Sequence, residues 1–234
     1  MQWLNAVLKS EYEPIRVLRD TDKMTIRHLR HRRLGQDMVC LSFEGDGDVY
    51  RLLRAVRHPH LPRIYEVRQE GKHCTVLEEF VDGATVAQVL ENGRYSEKGV
   101  RAVAAAVCDG AGFLHDHGFV HRDIKPENVM IASDGRVVLL DFDTARVYKP
   151  EATRDTRVIG TAGYAAPEQF GVAQTDARAD VFAIGIMMNV MLTGHHPTKQ
   201  AATGRLAPII EKCTRLDPAK RYRTVWELKE KLGY

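Results

Sequence analysis

Little in this 234-residue chain would tie it to a membrane, to nucleic acid or to a disulfide framework. No stretch approaches eighteen uninterrupted apolar residues, and Met1 to Lys9 lacks a charged segment followed by a long apolar run. Neither a membrane-spanning helix nor a secretory leader is therefore expected, and the chain reads as cytoplasmic. Charge of one sign is also scarce. The 34 Lys and Arg against 31 Asp and Glu leave +3, too small an excess to make nucleic acid or an anionic membrane the main partner. Cysteines number four, Cys40, Cys74, Cys108 and Cys213, with no CxxC spacing. They read as reduced core residues and exclude a disulfide scaffold or zinc site. Repeats, low-complexity tracts and proline-rich linkers are absent.

What is present divides in two. From Ile15 to Phe80 the apolar pattern is short and alternating: Ile15 to Val17, Thr25 to Leu29, Met38 to Phe43, Ile64 to Val67 and Cys74 to Leu77. These predict antiparallel strands, the last two joined by a polar loop at Gln69 to Lys72. Val49, Leu52, Leu53 and Val56 have the spacing of one helical face. After Val81-Asp82-Gly83 the period lengthens, and helices are predicted over Thr85 to Leu90, Glu97 to His117, Ala179 to Leu192, Ile209 to Cys213 and Thr224 to Leu232. Ser96 is a candidate N-cap and Gly118 a helix stop. One hairpin, Val129 to Ile131 and Val137 to Leu140, interrupts the helical part. The expected fold is α+β: a small antiparallel sheet with one helix over 1–80, then a larger, mainly helical region over 81–234, the two forming one domain.

The chemistry concentrates around that hairpin. Asp123 and Asn128 sit five apart on a loop whose Pro126 opposes a helix, and Asp141 follows the strand Val137 to Leu140. Two carboxylates and an amide are thereby gathered. Such oxygen donors suit magnesium, which takes one or two protein carboxylates together with substrate phosphates. A further acid can then orient an attacking hydroxyl.

His121-Arg122-Asp123-Ile124-Lys125-Pro126-Glu127-Asn128 closely resembles the catalytic loop of eukaryotic-type serine/threonine protein kinases. Asp141-Phe142-Asp143 is similar to that family's metal-binding Asp-Phe-Gly. Gly160 to Glu168 resembles the end of its activation segment, Asp180 followed by Gly185 its buried anchoring helix, and Asp217-Pro218 with Arg221 its late arginine, which pairs with Glu168. His58 to Leu61 and Leu77 to Gly83 also resemble family features, the second the interlobe hinge. The resemblance implies a two-lobed fold using ATP and Mg2+ to phosphorylate Ser or Thr of a protein substrate. Asp123 would be the base, Lys125 would steady the transferring group, and Asn128 and Asp141 would hold the metal. Glu79 and Val81 would offer backbone groups to adenine, with Val39 and Met130 sandwiching the ring. Arg122 would pair with a phosphate on Thr153 or Thr156, and Thr161 would mark the preference for aliphatic hydroxyls. His121 is expected to be a core residue beside Phe142, with no acid-base role. His115 and His117 read as structural.

The departures lie mostly in the first part. Where the family has a glycine-rich loop, this chain has Arg19-Asp20-Thr21-Asp22-Lys23-Met24, and where the third strand carries an ATP-binding lysine it has Met38 to Phe43 with none. The partner glutamate's position falls near Val49. Removing a cation about 4 Å from a phosphate costs roughly 4 kcal/mol gross at an effective dielectric of about 20, or about a thousandfold in rate if felt wholly in the transition state. Lys23, Arg27 or Arg30 is a candidate substitute. Asp143 stands where the family has a mobile glycine, and eleven residues, Thr198 to Pro208, replace a docking helix and its loop. Two further readings are carried: a pseudokinase scaffold with weak or no nucleotide turnover, and a kinase-fold enzyme acting on a small-molecule hydroxyl. Substrate identity, activating signal and oligomeric state are not legible.

Overall fold

Alternation along Met24 to Phe43 sends successive side chains to opposite faces of a sheet, and the two faces find different cover. The computed structural model describes residues 10–148, 161, 163–170 and 175–234. The chain divides into two units, Met1–Val81 and Asp82–Tyr234.

In the first unit five antiparallel strands, β1 (Tyr12–Asp20), β2 (Met24–His31), β3 (Asp37–Glu44), β4 (Ile64–Glu70) and β5 (His73–Glu79), stand in the order β1-β2-β3-β5-β4. The register places Ile26, Leu41 and Val76 in one row and His28, Val39 and Glu78 in the next. Directly opposed residues share a face. Helix α1 (Asp48–Arg54) covers that face, with the Tyr50 ring 5.6 Å from Phe43. Tyr12, Leu29, Met38 and Cys40 form a separate buried cluster on the other face. The turn from β1 to β2 needs no glycine. Thr21 N–H and its hydroxyl donate to Met24 O at 2.9 and 3.0 Å, and Met24 N–H donates back to Thr21 Oγ1 at 3.1 Å.

The second unit is built on helices. Thr85 and Gln88 form a reciprocal cap at the start of α2 (Val86–Glu91), and Ser96 accepts from Gly99 N–H at the start of α3 (Glu97–Asp116). Gly118, at φ +78°, turns the chain out of α3 as expected of a helix stop. A short sheet of β6 (Gly83–Thr85), β8 (Val129–Ala132) and β9 (Val137–Leu139) follows, while β7 (Phe119–Val120) pairs with β10 (Arg146–Val147). Helix α4 (Ala177–Thr193) is apolar around most of its circumference and almost wholly buried, as a central core helix must be. Helices α5 (Ala207–Cys213) and α6 (Val225–Leu232) pack around it. The loop from Thr193 to Ala207 holds no helix, in line with the shortened segment expected there.

Among the described residues no helix is long and apolar enough to cross a membrane. All four cysteines are free and buried, as expected. Burial pushes their thiols up, that of Cys40 to about 11, so they stay protonated and unreactive.

Helices α3 and α6 meet through a glycine. A Cβ on Gly112 would lie 2.3 to 2.7 Å from the Trp226 ring, whose indole also donates to Asp116 and so has little room to withdraw. Overpacking of this kind costs about 1–3 kcal/mol, more than the few tenths of helix propensity that valine gains over glycine. Gly112→Val should therefore lower the thermal midpoint by several degrees, measured by calorimetry.

Candidate active site

The loop after β7 is held from below by a single carboxylate. Asp180, on α4 and 0 % exposed, accepts from His121 N–H at 2.9 Å, Arg122 N–H at 2.8 Å and His115 Nε2–H at 2.7 Å. Burial alone would raise its proton affinity. The bond to His115, the imidazole charges and the Arg122 N–H outweigh that and hold the carboxyl below the usual carboxylate range. These bonds maintain Arg122 at φ +69°, a left-handed conformation that a non-glycine residue adopts only under constraint.

His121 is a buried wedge. Its Nδ1 accepts from Asp123 N–H at 3.3 Å, which leaves the proton on Nε2 to donate to Leu140 O at 3.1 Å, and its ring stands edge-on to Phe142 at 5.3 Å. The expected core histidine beside Phe142 is what the geometry gives.

Above the wedge the polar side chains close on one another. Lys125 Nζ donates to Asp123 Oδ2 and to Thr161 Oγ1, both at 2.7 Å, and the Thr161 hydroxyl donates to Asp123 Oδ1 at 2.6 Å. Asn128 Nδ2 donates to Asp123 O and Oδ2 at 2.9 and 3.0 Å, so the planar amide turns its Oδ1 the other way. Pro126 does not leave this stretch irregular: Pro126–Asn128 is one 3₁₀ turn with proline at its first position, where its missing N–H is harmless. Leu140 is tied to the loop at both its polar groups, since its N–H also donates to Asn128 O at 2.8 Å. Asp141 follows at once, at φ +66°. Phe142 is buried, and the exposed Asp143 has no positive φ.

Two residues not singled out in the sequence complete the loop's restraints. The Thr144 hydroxyl donates to His121 O and its carbonyl receives Arg122 Nε, at 2.9 and 3.1 Å. Gln169 Nε2 donates to Arg122 O at 2.8 Å. Both are common polar residues in segments without periodicity, and only the position of Gln169 directly after Glu168 hinted at a role. Glu168 and Arg221 form the expected pair, bidentate at 2.6 and 3.0 Å and nearly buried. Arg221 also reaches Arg178 O, Arg215 O and Leu216 O, so its guanidinium is fully engaged. Thr153 and Thr156 lie outside the described residues.

The remaining candidates are divided between the units. Met130 is half-buried on β8 of the second. In the first, Val39 is buried on the α1 face of β3, Val81 is buried, and Glu79 ends β5. The Glu79 N–H donates to Arg63 O at 2.8 Å. No face of β3 carries a cation. Val39, Leu41 and Phe43 point to α1, Met38, Cys40 and Ser42 away from it, and Leu41 is 2 % exposed between Ile26 and Val76. Arg27 stands opposite Cys40 on the far face from Val39, Arg30 is engaged by Asp37 at 2.8 and 2.9 Å, and Lys23 sits exposed in the β1–β2 turn.

A family model for the protein kinase domain matches residues 48–231, beginning at α1. Curated relatives include the serine/threonine-protein kinase pkn2 of Myxococcus xanthus, 34% identical over 182 residues, which are 75% of this chain and 22% of that protein. PknL of Mycobacterium tuberculosis is 36% identical over 149 residues, 63% of this chain and 37% of PknL. PknB of Mycolicibacterium smegmatis is 31% identical over 187 residues, 73% of this chain and 30% of PknB. The chain thus spans between about a fifth and two fifths of the length of these relatives.

The lowered Asp180 carboxyl makes stability depend on pH. A carboxyl depressed in the folded state stabilises the fold above its unfolded value, about 3.9, and that contribution is lost as pH falls through the lower folded value. Asp180→Asn should therefore be less stable by about 3 kcal/mol at neutral pH, with the gap to the native chain narrowing below about pH 4. Urea unfolding over an acid pH series measures it. A gap independent of pH would show that Asp180 is not ionised.

Proposed function

We propose, because this chain belongs to the protein kinase domain family, that it transfers the γ-phosphate of ATP to the hydroxyl of a serine or threonine in a protein. The observation that carries this reading is the contact of Asp123 Oδ1 with the Thr161 hydroxyl at 2.6 Å, with Lys125 bridging the pair. A carboxylate oxygen held within hydrogen-bond reach of an aliphatic hydroxyl is what a base orienting such a nucleophile requires.

In this reading Asp123 accepts the proton of the substrate hydroxyl. Lys125 places its positive charge where the transferring group gathers negative charge. Asn128 Oδ1, turned away from Asp123, and the Asp141 carboxylate are hard oxygen donors in the number magnesium takes from proteins. They would hold that ion, whose chemistry when bound is neutralisation of phosphate charge. Val39 and Met130 would sandwich the adenine ring, with backbone groups of Glu79 and Val81 at its edge. The domain is taken as 1–234, with its first lobe ending near residue 80.

A second reading, a pseudokinase that signals or scaffolds without turnover, is favoured by buried Leu41 and by the absence of any cation on β3. Radiolabelled γ-phosphate transfer in the presence of magnesium separates the two. The kinase reading expects incorporation by the native chain that falls by at least about a thousandfold in Asp123→Ala and is also lost in Asp141→Ala. Incorporation equal in all three, or absent from all, favours the pseudokinase.

Of the three cations able to replace the lysine, strand direction removes Arg27 and the ion pair with Asp37 removes Arg30. Lys23→Ala should weaken ATP binding by about tenfold, while Arg27→Ala leaves it unchanged, as read by calorimetric titration. Equal affinity in Lys23→Ala and the native chain rejects the substitution.

A further inference from the structure

One row of the first unit's sheet carries polar side chains that packing alone does not explain. His28, Val39 and Glu78 are directly opposed on β2, β3 and β5, so Val39, proposed to receive adenine, has an imidazole on one side and a carboxylate on the other. His28 is 6 % exposed and Glu78 7 %. The neighbouring row on the same face is wholly apolar, with Ile26, Leu41 and Val76.

Hydrogen bonds do not hold the imidazole in place. Its Nδ1 is buried without a partner, and its Nε2 lies 3.2 Å from Asp37 Oδ1 in an alignment that makes no hydrogen bond. Asp37 is instead taken by Arg30, at 2.8 and 2.9 Å. What His28 does make is a stack, its ring lying on that of Phe80 with 4.0 Å between centroids and 9° between planes. Phe80 stands between Glu79 and Val81, whose backbone groups are proposed for the edge of the adenine ring. A flat, nitrogen-bearing ring thus occupies an aromatic face in the stretch assigned to the base, beside the aliphatic side chain assigned to it.

We infer that the His28 side chain is an internal competitor of the nucleotide base: it holds the stacking face of Phe80 beside Val39, and a base binds there as the imidazole leaves. The exchange is like for like. The base takes over the ring contact, while the His28 nitrogens regain the hydrogen bonds to water that burial denies them. Binding is weakened by the fraction of chains whose stack is closed, and it is weakened at the base, separately from the missing lysine at the phosphates. The inference rests on the adenine placement proposed above and not on phosphate transfer.

Calorimetric titration of the intact chain with adenosine, with ATP and magnesium, and with inorganic tripolyphosphate tests it. His28→Val and His28→Ala should bind adenosine and ATP roughly threefold to tenfold more tightly than the native chain, with tripolyphosphate affinity unchanged. His31→Val, which removes a histidine from the other face of the same strand, should bind as the native chain does. Equal or weaker binding by the folded His28 variants, binding by no chain, or the same gain for tripolyphosphate overturns the competitor. Proton NMR of the native chain tests it without a substitution. The His28 ring signals, displaced upfield by the Phe80 ring, should lose that displacement on saturation with adenosine, and saturation that leaves them in place overturns the competitor as well. Tighter adenosine binding by the variants without phosphate transfer by any chain keeps the competitor and rejects the kinase reading, whereas transfer by the native chain with no gain in the variants does the reverse.

Discussion

A carboxylate with no access to water supports the whole loop that follows β7. Burying Asp180 at 0 % exposure would be prohibitive without compensation, and the compensation comes from the groups the loop needs fixed: two consecutive backbone N–H groups and the His115 ring. Because those N–H groups converge on one carboxylate, Arg122 is held at positive φ between the buried His121 and Asp123. The wedge then carries order onward. His121 bonds Leu140, Leu140 bonds Asn128, and Asp141 is the next residue. A chain of single hydrogen bonds thus links the core of α4 to the oxygen donors proposed for the metal. Each bond is worth about 1 kcal/mol by itself. Their value lies in leaving no member free to move without exposing another's buried polar group.

The first unit has gone the opposite way, exchanging electrostatics for packing. Leu41 fills the α1 side of β3 between Ile26 and Val76, and Tyr50 on α1 is 0 % exposed against Phe43. Burying a leucine stabilises by about 1.5–3 kcal/mol, whereas the charge contact a lysine would make to a phosphate is worth up to about 4 kcal/mol gross. The sheet and its helix therefore gain cohesion at a position where a lysine would have offered charge. The family match begins at α1 and so leaves β1 to β3 outside it, where both the glycine loop and the lysine are missing.

Strands and helices were legible because their apolar periods differ; β1, β2, β3 and β5 run one to three residues past their predicted ends, whereas α3 and α6 begin and end within one residue of theirs. Most of those extra residues are polar, such as the exposed Glu13 and Asp20 on β1, and join a strand through backbone pairing that leaves no mark in the hydrophobic pattern; Tyr12 and Met24 are buried and apolar but stand between polar neighbours. In the candidate site, Asp123, Lys125, Asn128, Thr161, Glu168, Asp180 and Arg221 were legible because motif spacing fixes them. Thr144, Gln169 and the link from His115 to Asp180 were not. Each acts through a bond spanning more than twenty residues of sequence, and nothing local distinguishes such a threonine or glutamine from a solvated one. The closed β1–β2 turn was hidden for a related reason, since a threonine hydroxyl replaces the conformational freedom that glycine usually supplies.

The Asp-Phe-Asp stretch shows how local backbone cost limits what the site can do. Asp141, not Asp143, carries the positive φ, so the arrangement seen needs no glycine at the third position. A rearrangement that moved residue 143 into the left-handed region would cost about 1–2 kcal/mol for an aspartate relative to glycine, which lowers the population of any such state by roughly fivefold to thirtyfold. Phe142 adds to this, because withdrawing it from beside His121 would open a void under the loop that Asp180 holds in place. Backbone preference and core packing therefore favour the same single placement of Asp141.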